Sequence, residues 1–116
     1  MSDRLTPTTI VSGLLDLARE LATLASDLDQ LEIDAVNGRE DLTLAAAKAF
    51  LAADGPVDVR KNVALVATHS ERLVAETAEA LVRGRKRQLD TIKVRVDVGR
   101  SAAAALRAEI DMDRIR

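Results

Sequence analysis

The side chains able to do chemistry are few and poorly placed for catalysis. His69 is the sole histidine and there is no cysteine. Paired-histidine metal ligation, a Ser-His-Asp arrangement, thiolate chemistry and disulfides therefore have nothing to stand on. His69 lies beside Ser70 and Glu71 on a helical stretch and reads as an ordinary surface or interface residue. Asp27, Asp29, Glu32 and Asp34 could offer oxygen ligands to a divalent cation, but the spacing and glycine of an EF-hand loop are absent, so a solvated helix face is the better reading. No glycine-rich phosphate loop follows a strand. The expectation is a protein with no catalytic residues, no metal and no cofactor.

The informative cluster is basic. Arg83, Arg85, Lys86 and Arg87 are followed by Lys93, Arg95 and Arg100, against Asp90 and Asp97 alone. Residues 1–54 carry ten acids and four bases, whereas residues 55–116 carry nine acids and thirteen bases. Such asymmetry either mates one half of the chain with the other or offers the basic half to a partner. We take Arg83, Arg85, Lys86, Arg87, Lys93 and Arg95 as the candidate recognition surface. A stripe of phosphate contacts is one use for it. No Tyr, Trp or Phe stands nearby to stack on bases, which weakens that use for single strands.

These residues must be positioned by helices. Thr6 suits an N-cap and Pro7 a first helical position. Ile10, Leu14, Leu17, Leu21, Leu24, Leu28 and Leu31 recur at alternating spacings of four and three, and Ala35, Gly38, Leu42, Ala45, Ala49 and Ala52 continue the frame. This heptad stripe predicts one helix over about 7–54, about 70 Å long, with Gly38 a point of close approach or a mild kink. Ala53-Asp54-Gly55-Pro56-Val57-Asp58 then supplies a stop, a turn over 55–58, and Asp58 as the next N-cap. A second helix is predicted over about 59–110, with Arg60 and Lys61 on its polar face and Val63, Val66, Ser70, Leu73, Val74, Ala78, Leu81, Arg85, Leu89, Ile92, Val96, Gly99, Ala103, Leu106 and Ile110 inward.

One stretch argues otherwise. TIKVRVDVG, residues 91–99, alternates like a half-buried strand. No second strand candidate exists to pair with it, and an unpaired strand would strand its backbone groups. Its residues also fit the helical frame, so helix is the expectation, the exception being a strand paired with its own copy in a dimer.

The fold class is therefore all-α: one domain over 1–116, an antiparallel two-helix hairpin of coiled-coil type. Apolar residues off the first stripe, among them Val11, Leu15, Val36 and Phe50, require further neighbours. Two copies forming a four-helix bundle would provide them. With the hinge near Pro56, positions equally distant from it face each other. Arg83 and Arg85 would then stand level with Asp29 and Asp27, and charge pairing between the helices is the leading account of the basic run. The start MSDRLTPTT has no basic segment followed by an apolar one, and no apolar run could cross a bilayer, so a soluble cytoplasmic protein with no membrane partner is expected.

The stretches LAAAKAFLAADGPVDVRKNVALVATHSERLVAETAEALVR and RQLDTIKVRVDVGRSAAAALRAE resemble a group of small helical proteins of bacteriophages, notably those infecting actinobacteria. The resemblance spans about 34–109. It rests on Val57-Asp58-Val59-Arg60-Lys61, Ala75-Glu76, Gly99-Arg100-Ser101 and Ala105-Leu106-Arg107-Ala108-Glu109. It implies a phage origin, the cytoplasm of a host bacterium, and a setting among replication or recombination genes. The Trp-x-Gly turn of secreted actinobacterial helical hairpins is missing, since the chain has no tryptophan. The resulting expectation is a non-enzymatic accessory or adaptor protein that dimerises and engages a host or phage protein, with sequence-independent nucleic-acid binding as the runner-up.

Overall fold

A computed structural model describes residues 5–115. All regular structure among the described residues is helical: α1 is Pro7–Ala52, α2 is Val57–Ala67 and α3 is His69–Ile115. The residues fall into two compact units. A terminal unit joins the segment ending at Ser26 to the segment beginning at Lys86, and a hinge unit comprises Asp27–Arg85.

In the terminal unit, α1 opens as its sequence predicts. Thr6 Oγ1 accepts the Thr9 N–H at 3.2 Å while Thr9 Oγ1 accepts the Thr6 N–H at 2.8 Å. Two donors that the first turn leaves without partners are thus satisfied reciprocally. Ile10 is buried and Leu14, Leu17, Leu21 and Leu24 are half-buried; from α3, Ile92 is buried and Leu89, Val96 and Leu106 are half-buried. Gly99 meets Leu14 so closely that a Cβ there would lie 2.7 Å from Leu14 Cδ2. The strand-like stretch is helical throughout. Its alternating apolar residues divide, with Ile92 and Val96 turned in and Val94 and Val98 exposed. α3 continues to Ile115, beyond the expected stop near Ile110.

In the hinge unit the inward face of α1 follows the expected frame through Leu28, Leu31, Ala35, Gly38, Leu42, Ala45 and Ala49. It ends at Ala52, not Asp54, and Ala53 replaces Ala52 as the last half-buried position. Gly55 takes φ +106, a conformation that favours glycine. Pro56, with extended backbone, occupies the N-cap of α2 without a side-chain hydrogen bond. Asp58 is therefore not the cap that was expected but an acid in the first turn, where it suits the helix dipole. Arg60 is likewise not on a polar face. Its guanidinium lies 4.4 Å over the Phe50 ring, and its Nε donates to the Phe50 carbonyl at 3.2 Å, tying α2 to the end of α1.

The expected second helix is broken at Thr68, whose φ and ψ of -106 and 19 depart from helix. Its Oγ1 donates back to the Ala64 carbonyl at 2.7 Å, a bond known to bend helices. Arg72 bridges the break, its Nη2 donating to the Leu65 carbonyl at 3.0 Å and to Thr68 Oγ1 at 3.2 Å.

The inward face before Arg85 also differs from expectation. Val63, Val66, Ser70, Leu73, Val74 and Leu81 are exposed; Ala64, Thr68, Glu71, Ala75 and Val82 take their place beside Ala78, which is inward as expected. The cause is the crossing at Gly38. A Cβ on Gly38 would stand 3.3 Å from Ala75 Cα, and Ala75 is 0% exposed. Backbones this close admit only small side chains, so α3 turns its larger ones outward. The seam even contains a carboxylate, Glu71, whose Oε2 is out of solvent with no hydrogen-bond partner. Gly38 and Ala75 are nearly equidistant from Pro56, as the hairpin register requires.

Candidate interaction surface

The six bases selected from sequence all lie on α3. Arg83 and Arg85 belong to the hinge unit, while Lys86, Arg87, Lys93 and Arg95 belong to the terminal unit. Arg85 occupies a half-buried seam position and the other five are exposed. In the hinge unit an ion pair between the helices forms at Arg39 and Glu79, with Nη2 to Oε1 at 2.6 Å and Nε to the same oxygen at 2.8 Å. The sequence reading did not select these positions. Arg83, Asp27 and Asp29 stand exposed.

The Arg39–Glu79 pair defines a flank. Arg39 follows inward Gly38 and Glu79 follows inward Ala78, so positions one after the seam lie on the same side of both helices. By the same antiparallel geometry in the terminal unit, Lys93, Arg100 and Arg107 follow Ile92, Gly99 and Leu106 on one flank of α3. The matching positions of α1 are Val11, Ala18 and Ala25. The result is a row of exposed cations about 10.5 Å apart, which Lys86, following Arg85, begins, and in which Lys93, Arg100 and Arg107 have the exposed apolar positions Val11, Ala18 and Ala25 as their matching row. Leu15, 52% exposed, enlarges the apolar strip, and Val11 and Leu15 line, with Pro7, Asp16 and Arg19, an open groove of about 500 Å³ on α1. Sequence reasoning missed Arg100 and Arg107 as members of this row. Their seven-residue spacing from Lys93 was the available signal.

Positions one before the seam form the opposite flank; in the hinge unit three of them in succession are acids, and the row ends in a base, Lys48, before Ala49. Asp27, Asp34 and Asp41 precede Leu28, Ala35 and Leu42. Across from them Val74 and Leu81 precede Ala75 and Val82. Asp34 and these two residues, with Leu31, Leu73 and Thr77, line a shallow groove of about 400 Å³ that is almost wholly apolar. Val74 is 62% exposed. Solvated leucine and valine in contiguous array mark a docking surface more often than a free one.

Among the described residues there is no group of acids and histidine able to hold a metal ion, and no helix long and apolar enough to cross a membrane. The surface can therefore be described chemically as two apolar strips, one edged by cations and the other by carboxylates. Comparisons with protein-family models, with curated proteins and with solved structures returned no match.

Proposed function

We propose that this chain is a non-enzymatic accessory or adaptor protein that works by protein–protein contact, with its hairpins assembling into a four-helix bundle. The observation that carries this reading is the outward placement of large apolar side chains from both sides of the hinge unit. Val36, Leu44, Leu51, Val66, Leu73 and Val74 are all more than half exposed. At about 25 cal/mol per Å² of apolar surface, leaving these groups in water forgoes several kcal/mol that a partner would supply. The phage origin, the host cytoplasm and a place in phage DNA replication or recombination are supported by the resemblance alone.

A second reading is favoured by one observation: Lys93, Arg100 and Arg107 have Val11, Ala18 and Ala25, not acids, as their matching row. Phosphates could occupy that flank, which makes sequence-independent nucleic-acid binding the alternative. Sedimentation equilibrium and a salt titration with labelled single- and double-stranded DNA test the two together. The adaptor reading expects self-association at micromolar concentration and no DNA binding at low salt. Binding whose log affinity falls by about 0.9 per phosphate contact for each log unit of salt would install the alternative instead.

A further inference from the structure

The two strips described above are complementary to one another and like-charged to themselves. We propose that a second copy of this chain is the partner, docking crosswise. The strip of the terminal unit in one copy, edged by Lys93, Arg100 and Arg107, lies on the groove of the hinge unit in the other, edged by Asp27, Asp34 and Asp41. This inference rests on the reading of the chain as a self-assembling interaction protein and specifies how it assembles.

Three features single out that pairing. Both charged rows repeat every seven residues on continuous helix, so their spacing matches at about 10.5 Å per step over the whole row. Each row borders exposed apolar side chains: Val11 and Leu15 beside the cations, Val74 and Leu81 beside the acids. Burying those side chains supplies the attraction, and the flanking charges choose partner and orientation, as they do at the edges of coiled-coil seams. Docking like strips on each other would set three cations against three cations or three carboxylates against three carboxylates. That repulsion excludes the uncrossed arrangements. A foreign partner is not required, because one chain carries both halves of the match.

Charge reversal provides the test. One variant carries Lys93→Glu, Arg100→Glu and Arg107→Glu; the other carries Asp27→Lys, Asp34→Lys and Asp41→Lys. Each variant alone presents two strips of one sign, whereas a mixture of the two restores every opposite pairing. Sedimentation equilibrium should show each variant associating at least about tenfold more weakly than the wild type, and the equimolar mixture returning to wild-type affinity. Circular dichroism checks that helix content is retained, and the single changes Arg100→Glu and Asp34→Lys serve if either triple variant unfolds. Undiminished self-association of the separate variants, or a mixture that stays apart, would overturn crosswise docking while leaving the adaptor reading in place. A wild-type chain that remains monomeric at every concentration would instead overturn the self-assembly on which it rests.

Discussion

The two units use the same heptad frame but differ in the side chains that the second half of the chain turns inward. In the terminal unit the seam is built from Ile10, Leu14, Leu17, Leu21 and Leu24 against Leu89, Ile92, Val96 and Leu106. In the hinge unit the α2–α3 side of the seam is Ala64, Thr68, Glu71, Ala75, Ala78 and Val82, and Leu73, Val74 and Leu81 lie outside it. Along α3, the terminal unit turns Leu89, Ile92, Val96 and Leu106 inward, whereas the hinge unit turns small residues inward and leaves Leu73, Val74 and Leu81 in water. Position in the frame, more than hydrophobicity, decides what a leucine or valine does here. The hinge unit is thus the part whose α3 face leaves Leu73, Val74 and Leu81 in water.

Deleting bulk on each side of that contrast should give the widest separation. Ile92 is 3% exposed in the terminal seam, so Ile92→Ala should cost about 2–4 kcal/mol of stability. Val74→Ala, on the outer face of the hinge unit, should change it by no more than about 0.5 kcal/mol in dilute monomer. Urea titration followed by circular dichroism reads both values. Equal losses would erase the distinction between the units.

Adding bulk at the close crossing should have the next largest effect. Ala75→Leu places a long side chain against the backbone of Gly38 and should destabilise by about 1–3 kcal/mol. The same unfolding experiment would show little change if the helices were free to separate there. The smallest effect is expected at Arg39 and Glu79. Their side chains are 47% and 34% exposed, and a double-mutant cycle with Arg39→Ala and Glu79→Ala should find a coupling of at most about 1 kcal/mol that shrinks with added salt. A larger, salt-insensitive coupling would mean that this flank is dry and covered.

Legibility in the sequence follows the same division. The α1 stripe could be read outright because leucine occupies nearly every inward position of its first half, and Gly55-Pro56 marked the turn because each restricts the backbone in its own way. The apparent strand around Val94 could be resolved as helix because no pairing partner existed. The seam of α2 and the start of α3 could not be read by looking for large apolar residues, since the crossing selects small ones. Extending the strict alternation back from Leu89 through Arg85, Val82, Ala78 and Ala75 would have found it. The break at Thr68 carries no glycine or proline; a threonine that bonds its own helix leaves no distinctive spelling. For the surface, the dense run Arg83 to Arg87 is conspicuous in sequence and the sparser row through Lys93 is not, because neighbours in sequence diverge around a helix whereas residues seven apart align.

The absence of cysteine in the chain allows single-cysteine reporters to test this arrangement directly. Ala75→Cys, Val74→Cys and Leu73→Cys place a thiol at three consecutive positions of α3. In dilute monomer, a thiol reagent should react quickly at positions 73 and 74 and at least about tenfold more slowly at 75, the ratio expected from a local opening cost near 1.4 kcal/mol. Slow reaction at 73 or 74 together with fast reaction at 75 would contradict the account, because the large residues would then form the seam and the outer face would hold no site for a partner.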